Sequence, residues 1–119
     1  MSVIKLANGN IASCALNTIK IWSLSTYASE TLVGHIGLVN AIVQLIDGKL
    51  ASVSQDSIIK IWDVDTSSEI ASFTGHTAKI STVNQLSDGR LVTGAWDKFI
   101  KVWNLTSNTA VATLSGKNI

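Results

Sequence analysis

The chain has 119 residues, of which 46% are apolar, 14% are charged and none is proline, and nine Lys and Arg against eight Asp and Glu leave a net charge of +1. That length suits one ordinary domain, and so even a charge balance removes the electrostatic reason to expect nucleic acid or an anionic membrane as the main partner. Apolar residues come in short runs such as Ala41-Ile42-Val43, far below the roughly 20 residues of a membrane-spanning helix, and Met1 is not followed by a basic and then apolar signal sequence. The single cysteine, Cys14, cannot form an internal disulfide, which points to a reducing compartment, the cytoplasm or the nucleus. The sequon Asn104-Leu105-Thr106 points the other way, but so short a pattern arises often by chance.

Taken in order, the chain repeats itself. Tryptophans stand at 22, 62 and 103, spaced by 40 and then 41 residues, and Gly34-His35 recurs 41 residues later as Gly75-His76. The segments from Ile36 to His76 and from Thr77 to Lys117 align without gaps, and the first segment lacks one residue between Asn17 and Ile19 relative to them. Repetition at this period means that each unit needs its neighbours to bury its faces. Asn8-Gly9, Asp47-Gly48 and Asp88-Gly89 read as two-residue hairpin turns. In the second unit, Val39 to Leu45 reads as one strand, Leu50 to Val53 as the next, Ile58 to Trp62 as a third and Ile70 to Phe73 as a fourth. Turn frequency and β-branched content exclude helix, and apolar residues at consecutive positions suit sheets covered on both faces.

Little in the sequence speaks for catalysis. His35 and His76, with Asp56 and Asp97, occupy equivalent places in successive repeats, as structural residues do, whereas a catalytic set seldom appears in copies. No H-x-x-x-H, C-x-x-C or glycine-rich phosphate loop is present, so neither a metal nor a cofactor is expected and the chain reads as no enzyme. Lys20, Lys60 and Lys101 recur before the repeated tryptophans and read as stems covering a strand face. Cys14 aligns with Val53 and Gly94 and reads as a small core residue.

Gly-His, a D-G turn, Ser-x-Asp and I-K-I-W-D in one register resemble the WD-repeat β-propeller family, with Trp62-Asp63 the literal dipeptide and Trp103-Asn104 and Trp22-Ser23 its variants. The resemblance implies an all-β fold of three four-stranded antiparallel blades, an incomplete propeller spanning 1–119, with blade one at 1–33, blade two at 34–74 and blade three at 75–119. It also implies a buried hydrogen-bonded set in each blade: His35, Ser52, Asp56 and Trp62 in blade two, and His76, Thr93, Asp97 and Trp103 in blade three. Blade one departs from the pattern, keeping Ser13 and Trp22 but carrying Asn17 in place of the Asp.

The same resemblance implies a non-enzymatic scaffold that binds a protein or peptide on the narrow top face, through residues three and five places after the turn His and the residue before the hairpin Asp. These are Leu38, Asn40, Lys79, Ser81, Leu16, Gln55 and Trp96. Trp96 is the tryptophan outside the repeated set, and exposed aromatics on a rigid rim are typical hot spots. Propellers close with four to eight blades, so three imply either a piece of a longer propeller or two chains forming a six-blade ring, with Lys117 then at the His position of the partner's first blade. The rival architecture with three repeats of about this length is the β-trefoil, which would bring a carbohydrate-binding lectin function.

Overall fold

The computed structural model describes residues 2–115. It contains twelve strands in chain order: β1 (Ser2–Lys5), β2 (Ile11–Ala15), β3 (Thr18–Trp22), β4 (Ser29–Val33), β5 (Val39–Gln44), β6 (Leu50–Ser54), β7 (Ile59–Asp63), β8 (Ser68–Phe73), β9 (Ile80–Gln85), β10 (Leu91–Ala95), β11 (Phe99–Asn104) and β12 (Thr109–Ser115). These strands form three separate four-stranded antiparallel sheets, each pairing its strands in sequence order. Each sheet is a blade, and together they make an incomplete propeller. Four strands per sheet in meander order, with no barrel shared between repeats, rule out the trefoil and remove the fold-based reason for a lectin function.

Two cores hold the blades together, and alternation along the strands decides which residues enter each. On β6, Ala51 and Val53 point one way and Leu50 and Ser52 the other; on β7, Ile59 and Ile61 oppose Lys60 and Trp62. Leu6, Ala12, Cys14, Ile19 and Leu32 of blade one pack against Val39, Ile42, Leu50 and Trp62 of blade two. Leu45, Ala51, Val53, Ile59, Ile61 and Phe73 of blade two then pack against Ile80, Val83, Leu91 and Trp103 of blade three. Blade two is therefore covered on both sides, and every residue of β6 is buried. The outer strands differ: β4, β8 and β12 are largely exposed, so double coverage belongs to the middle strands.

The glycine turns are not two-residue hairpins. In blade two Leu45 N donates to Lys49 O at 2.8 Å and Gly48 N donates to Leu45 O at 2.9 Å, leaving a three-residue loop, Ile46-Asp47-Gly48. Only the glycine of each pair has positive φ, at 90° for Gly9, 93° for Gly48 and 96° for Gly89. The preceding Asn or Asp stays at negative φ, and Asp47 Oδ1 instead accepts from Lys49 N at 3.0 Å. A turn closed by one left-handed glycine gives the longer loop, whereas a two-residue type I′ turn needs positive φ at both central positions.

Candidate functional site

Each complete blade contains a one-directional chain of hydrogen bonds. In blade two Trp62 Nε1 donates to Ser52 Oγ at 2.8 Å, Ser52 Oγ lies 2.7 Å from His35 Nε2, and His35 Nδ1 lies 3.0 Å from Asp56 Oδ2. With the indole N–H filling one acceptor site of Ser52, the serine hydroxyl donates to Nε2 and the imidazole carries its proton on Nδ1, where it donates to the carboxylate. Blade three repeats this with Thr93 in the serine's place, at 2.9, 2.8 and 2.8 Å. Burial pushes the His35 imidazole below its ordinary value of 6.5, against the opposing pull of Asp56. For Asp56, burial acts to raise the pKa, but hydrogen bonds from His35 and from the N–H groups of Ile58 and Ile36 hold it below 3.8. Asp97 is held low in the same way by Phe99 N, His76 and Thr77 N.

In this arrangement the imidazoles and carboxylates are committed to the fold. Every buried side-chain polar atom among the described residues has a partner, and the His–Asp pairs face a tryptophan inside a core rather than a cleft. No group of three or more His, Cys, Asp or Glu among those residues is placed to hold a metal ion. Blade one keeps the Trp22 Nε1 to Ser13 Oγ bond at 3.0 Å, but β2 and β3 are joined by only two residues, Leu16 and Asn17, with Leu16 at φ 54°.

The glycine of each Gly-His pair is required by the indole of its own blade. A Cβ on Gly75 would lie 2.7 Å from Trp103 Cη2, and one on Gly34 would lie 2.9 Å from Trp62 Cη2. Asp63, after Trp62, accepts from Asp65 N at 2.9 Å and Thr66 N at 3.2 Å through Oδ1. Asn104 does the same with Thr106 N at 2.8 Å and Ser107 N at 3.2 Å, so the amide replaces the carboxylate because only an acceptor oxygen is used. Ser23 lacks that reach and contacts Ser25 Oγ instead.

The candidate binding residues lie at the end of the blades formed by the β2–β3, β4–β5, β6–β7, β8–β9 and β10–β11 connections. Backbone bonds join two pairs of them, Gln55 N to Leu38 O and Trp96 N to Lys79 O, both at 2.9 Å, and Leu16 O accepts from Val39 N at 2.8 Å. Trp96 is 66% exposed, Leu16 74% and Leu38 43%. The Lys79 ammonium stands 3.6 Å from the Trp96 ring centroid, a close cation–π contact. Gln55 and Ser81 are exposed, with Ser81 Oγ donating to Gly94 O at 3.3 Å. Asn40 is half-buried and its amide is committed to the fold, since Nδ2 donates to Ile80 O of the next blade at 2.8 Å. Two residues on this face were missed by the sequence reading: Ile36, 85% exposed, and the exposed Lys98. Both sit beside tetrad residues, which drew attention to the scaffold instead. Lys117 lies outside the described residues.

The fold and this repeated tetrad define a propeller built from WD-type blades, and the comparisons agree. A family profile described as WD domain, G-beta repeat (WD40) matches residues 28–63 and 67–104, more than half of the chain, and the chain belongs to that family. No curated protein matches it in sequence. Among solved structures it is similar to the RRP9 WD40 repeats (27% identity, TM-score 0.87) and to U3-55K (26% identity, TM-score 0.87), covering 96% of itself and 38% of each of those chains. It therefore spans well under half the length of these relatives.

Two sequence-based expectations are corrected here. The likeness to RRP9 and U3-55K leaves no ground for excluding nucleic acid as a partner or for expecting a cytoplasmic location. For nucleic acid the error lay in using net charge, since a balance near zero says nothing of how charge is distributed between faces and this segment is 38% of the length of those chains; for location it lay in the lone cysteine, which does not tell one reducing compartment from another.

Proposed function

We propose that the chain is an interaction scaffold that binds a protein or peptide on its top face, through Trp96, Lys79, Leu38, Leu16 and Gln55. The observation that carries this is Trp96, a large aromatic left 66% exposed on a turn anchored by Asp97 and the β10–β11 hairpin. Such a residue gives a partner large contact area at small entropic cost. WD40 folds generally mediate protein interactions, and the fold alone does not choose the partner.

A second reading is nucleic-acid contact through the same face, favoured by the likeness to U3-55K and RRP9. A photoreactive side chain placed at Thr77 on the top face, with one at Asp65 on the opposite end as control, separates the two. Protein adducts from position 77 that disappear in Trp96→Ala are expected. Adducts to RNA alone at 77 favour the second reading, and adducts from position 65 alone overturn both.

A further inference from the structure

The charges and the apolar groups on the top face are distributed unevenly, and this gives the partner a chemistry. The cationic side chains among the described residues of this face are the half-buried Lys79 and the exposed Lys98, and neither stands in an ion pair with a carboxylate. The two carboxylates nearby, Asp56 and Asp97, are turned inward, with side chains only 8% and 4% exposed, and are occupied by the histidines and backbone N–H groups. Acidic side chains at the other end, Asp47 and Asp88, sit instead against Lys49 and Arg90. The top face therefore offers two cations, and its acidic groups are spent.

Blades one and two add an aliphatic surface to this face, made by Leu16, Leu38 and the 85%-exposed Ile36. Bases stack on aromatic faces, which aliphatic side chains do not provide, and the Lys79 ammonium already covers one face of the Trp96 indole at 3.6 Å. An extended peptide satisfies both halves: leucine-like side chains over Leu16, Ile36 and Leu38, and a carboxylate on Lys79, whose ammonium is held in place by the indole. We infer that the top face takes an extended peptide segment in which acidic residues alternate with aliphatic ones. This deepens the proposed top-face reading and rests on it.

The indole N–H signals of the full chain provide the test, because Trp22, Trp62 and Trp103 donate to Ser13, Ser52 and Thr93 and serve as internal controls. The probes are a capped hexapeptide of alternating leucine and glutamate, its counterpart with lysine for glutamate, and decauridylate. The acidic peptide is expected to move the Trp96 signal while those of Trp62 and Trp103 stay in place. We expect its affinity to fall about threefold or more in Lys79→Gln, to be kept in Lys79→Arg, and to weaken as salt is raised. A larger response of Trp96 to the lysine peptide or to decauridylate overturns this inference and leaves a top-face site standing. Silence of Trp96 toward all three probes overturns the inference and the underlying reading together.

Discussion

Gln85 Oε1 accepts the backbone N–H of Ile46 at 2.7 Å, while its Nε2 donates to Gly89 O at 3.0 Å, so one side chain joins the hairpin of its own blade to that of the blade before. Gln44 repeats the device, accepting from Ala7 N at 2.8 Å and donating to Gly48 O at 3.1 Å. Lys5 holds the equivalent place in blade one, where an ammonium can donate but not accept.

Replacing Gln85 by Ala should therefore cost stability without disturbing either core. The freed N–H of Ile46 is at the surface and finds water, so the loss is that of net hydrogen bonds, about 1 kcal/mol. Gln85→Glu keeps an acceptor for Ile46 and loses only the donor to Gly89, and should cost less. Urea midpoints with an unchanged slope check both; equal losses in the two variants would mean that the tie to Ile46 contributes nothing.

Gly75→Ala should be destabilising by about 1–3 kcal/mol, because the added methyl meets the buried Trp103 ring at 2.7 Å and the core must shift to admit it. Gly48→Ala is a useful contrast: nothing lies within 4 Å of a Cβ there, and the whole cost comes from φ +93°. Adding Trp103→Phe shortens the ring beside position 75 and should shrink the penalty of Gly75→Ala while leaving that of Gly48→Ala alone. A double-mutant cycle on thermal midpoints measures this coupling, and additive effects would refute the steric account.

The spacing of Trp22, Trp62 and Trp103 and of the Gly-His pairs made the three sheets and their strand order legible, since a 41-residue period with recurring glycine turns leaves one unit to be drawn. Turn geometry was less legible: Asp47-Gly48 fits several hairpins, and the hydrogen bond of Asp47 to Lys49 N selects the three-residue loop. The inter-blade role of Asn40 was hidden because its partner, Ile80 O, belongs to the backbone, which every sequence shares. Gln44 and Gln85 did carry a signal, standing 41 residues apart, yet an isolated glutamine suggests no particular chemistry until the neighbouring hairpin is in place. The closeness of Lys79 to Trp96 depends on how β9 and β10 pair across their bulge between Gly94 and Ala95.

Asp63→Asn should leave stability nearly unchanged, because Asn104 already performs the same turn with an amide. Asp63→Ala removes the acceptor for Asp65 N and Thr66 N in an exposed turn, and should cost about 1 kcal/mol. Amide hydrogen exchange at residues 65 and 66 should quicken in the alanine variant and remain slow in the asparagine one. Equal exchange in both would show that the turn holds without the side chain.

Stability should fall as the solution is acidified, in two steps set by the tetrads. His35 has a folded pKa below its ordinary 6.5, so above pH 6.5 it is neutral whether folded or unfolded, and its contribution is fully present. Below 6.5 the unfolded chain takes up a proton that the folded chain does not, and stability declines until the pH passes through the lower folded value. Asp56 and Asp97 are held below 3.8 when folded, so their contributions stay intact to that point and are lost only as the pH falls further. Urea unfolding between pH 8 and 5 isolates the first step. In His35→Gln that limb should be shallower than in the unaltered chain, even though the variant is less stable throughout for want of the Ser52 and Asp56 bonds. A stability that rises on going below pH 6.5, or a limb equally steep in His35→Gln, would show that the buried imidazole of blade two does not govern this dependence.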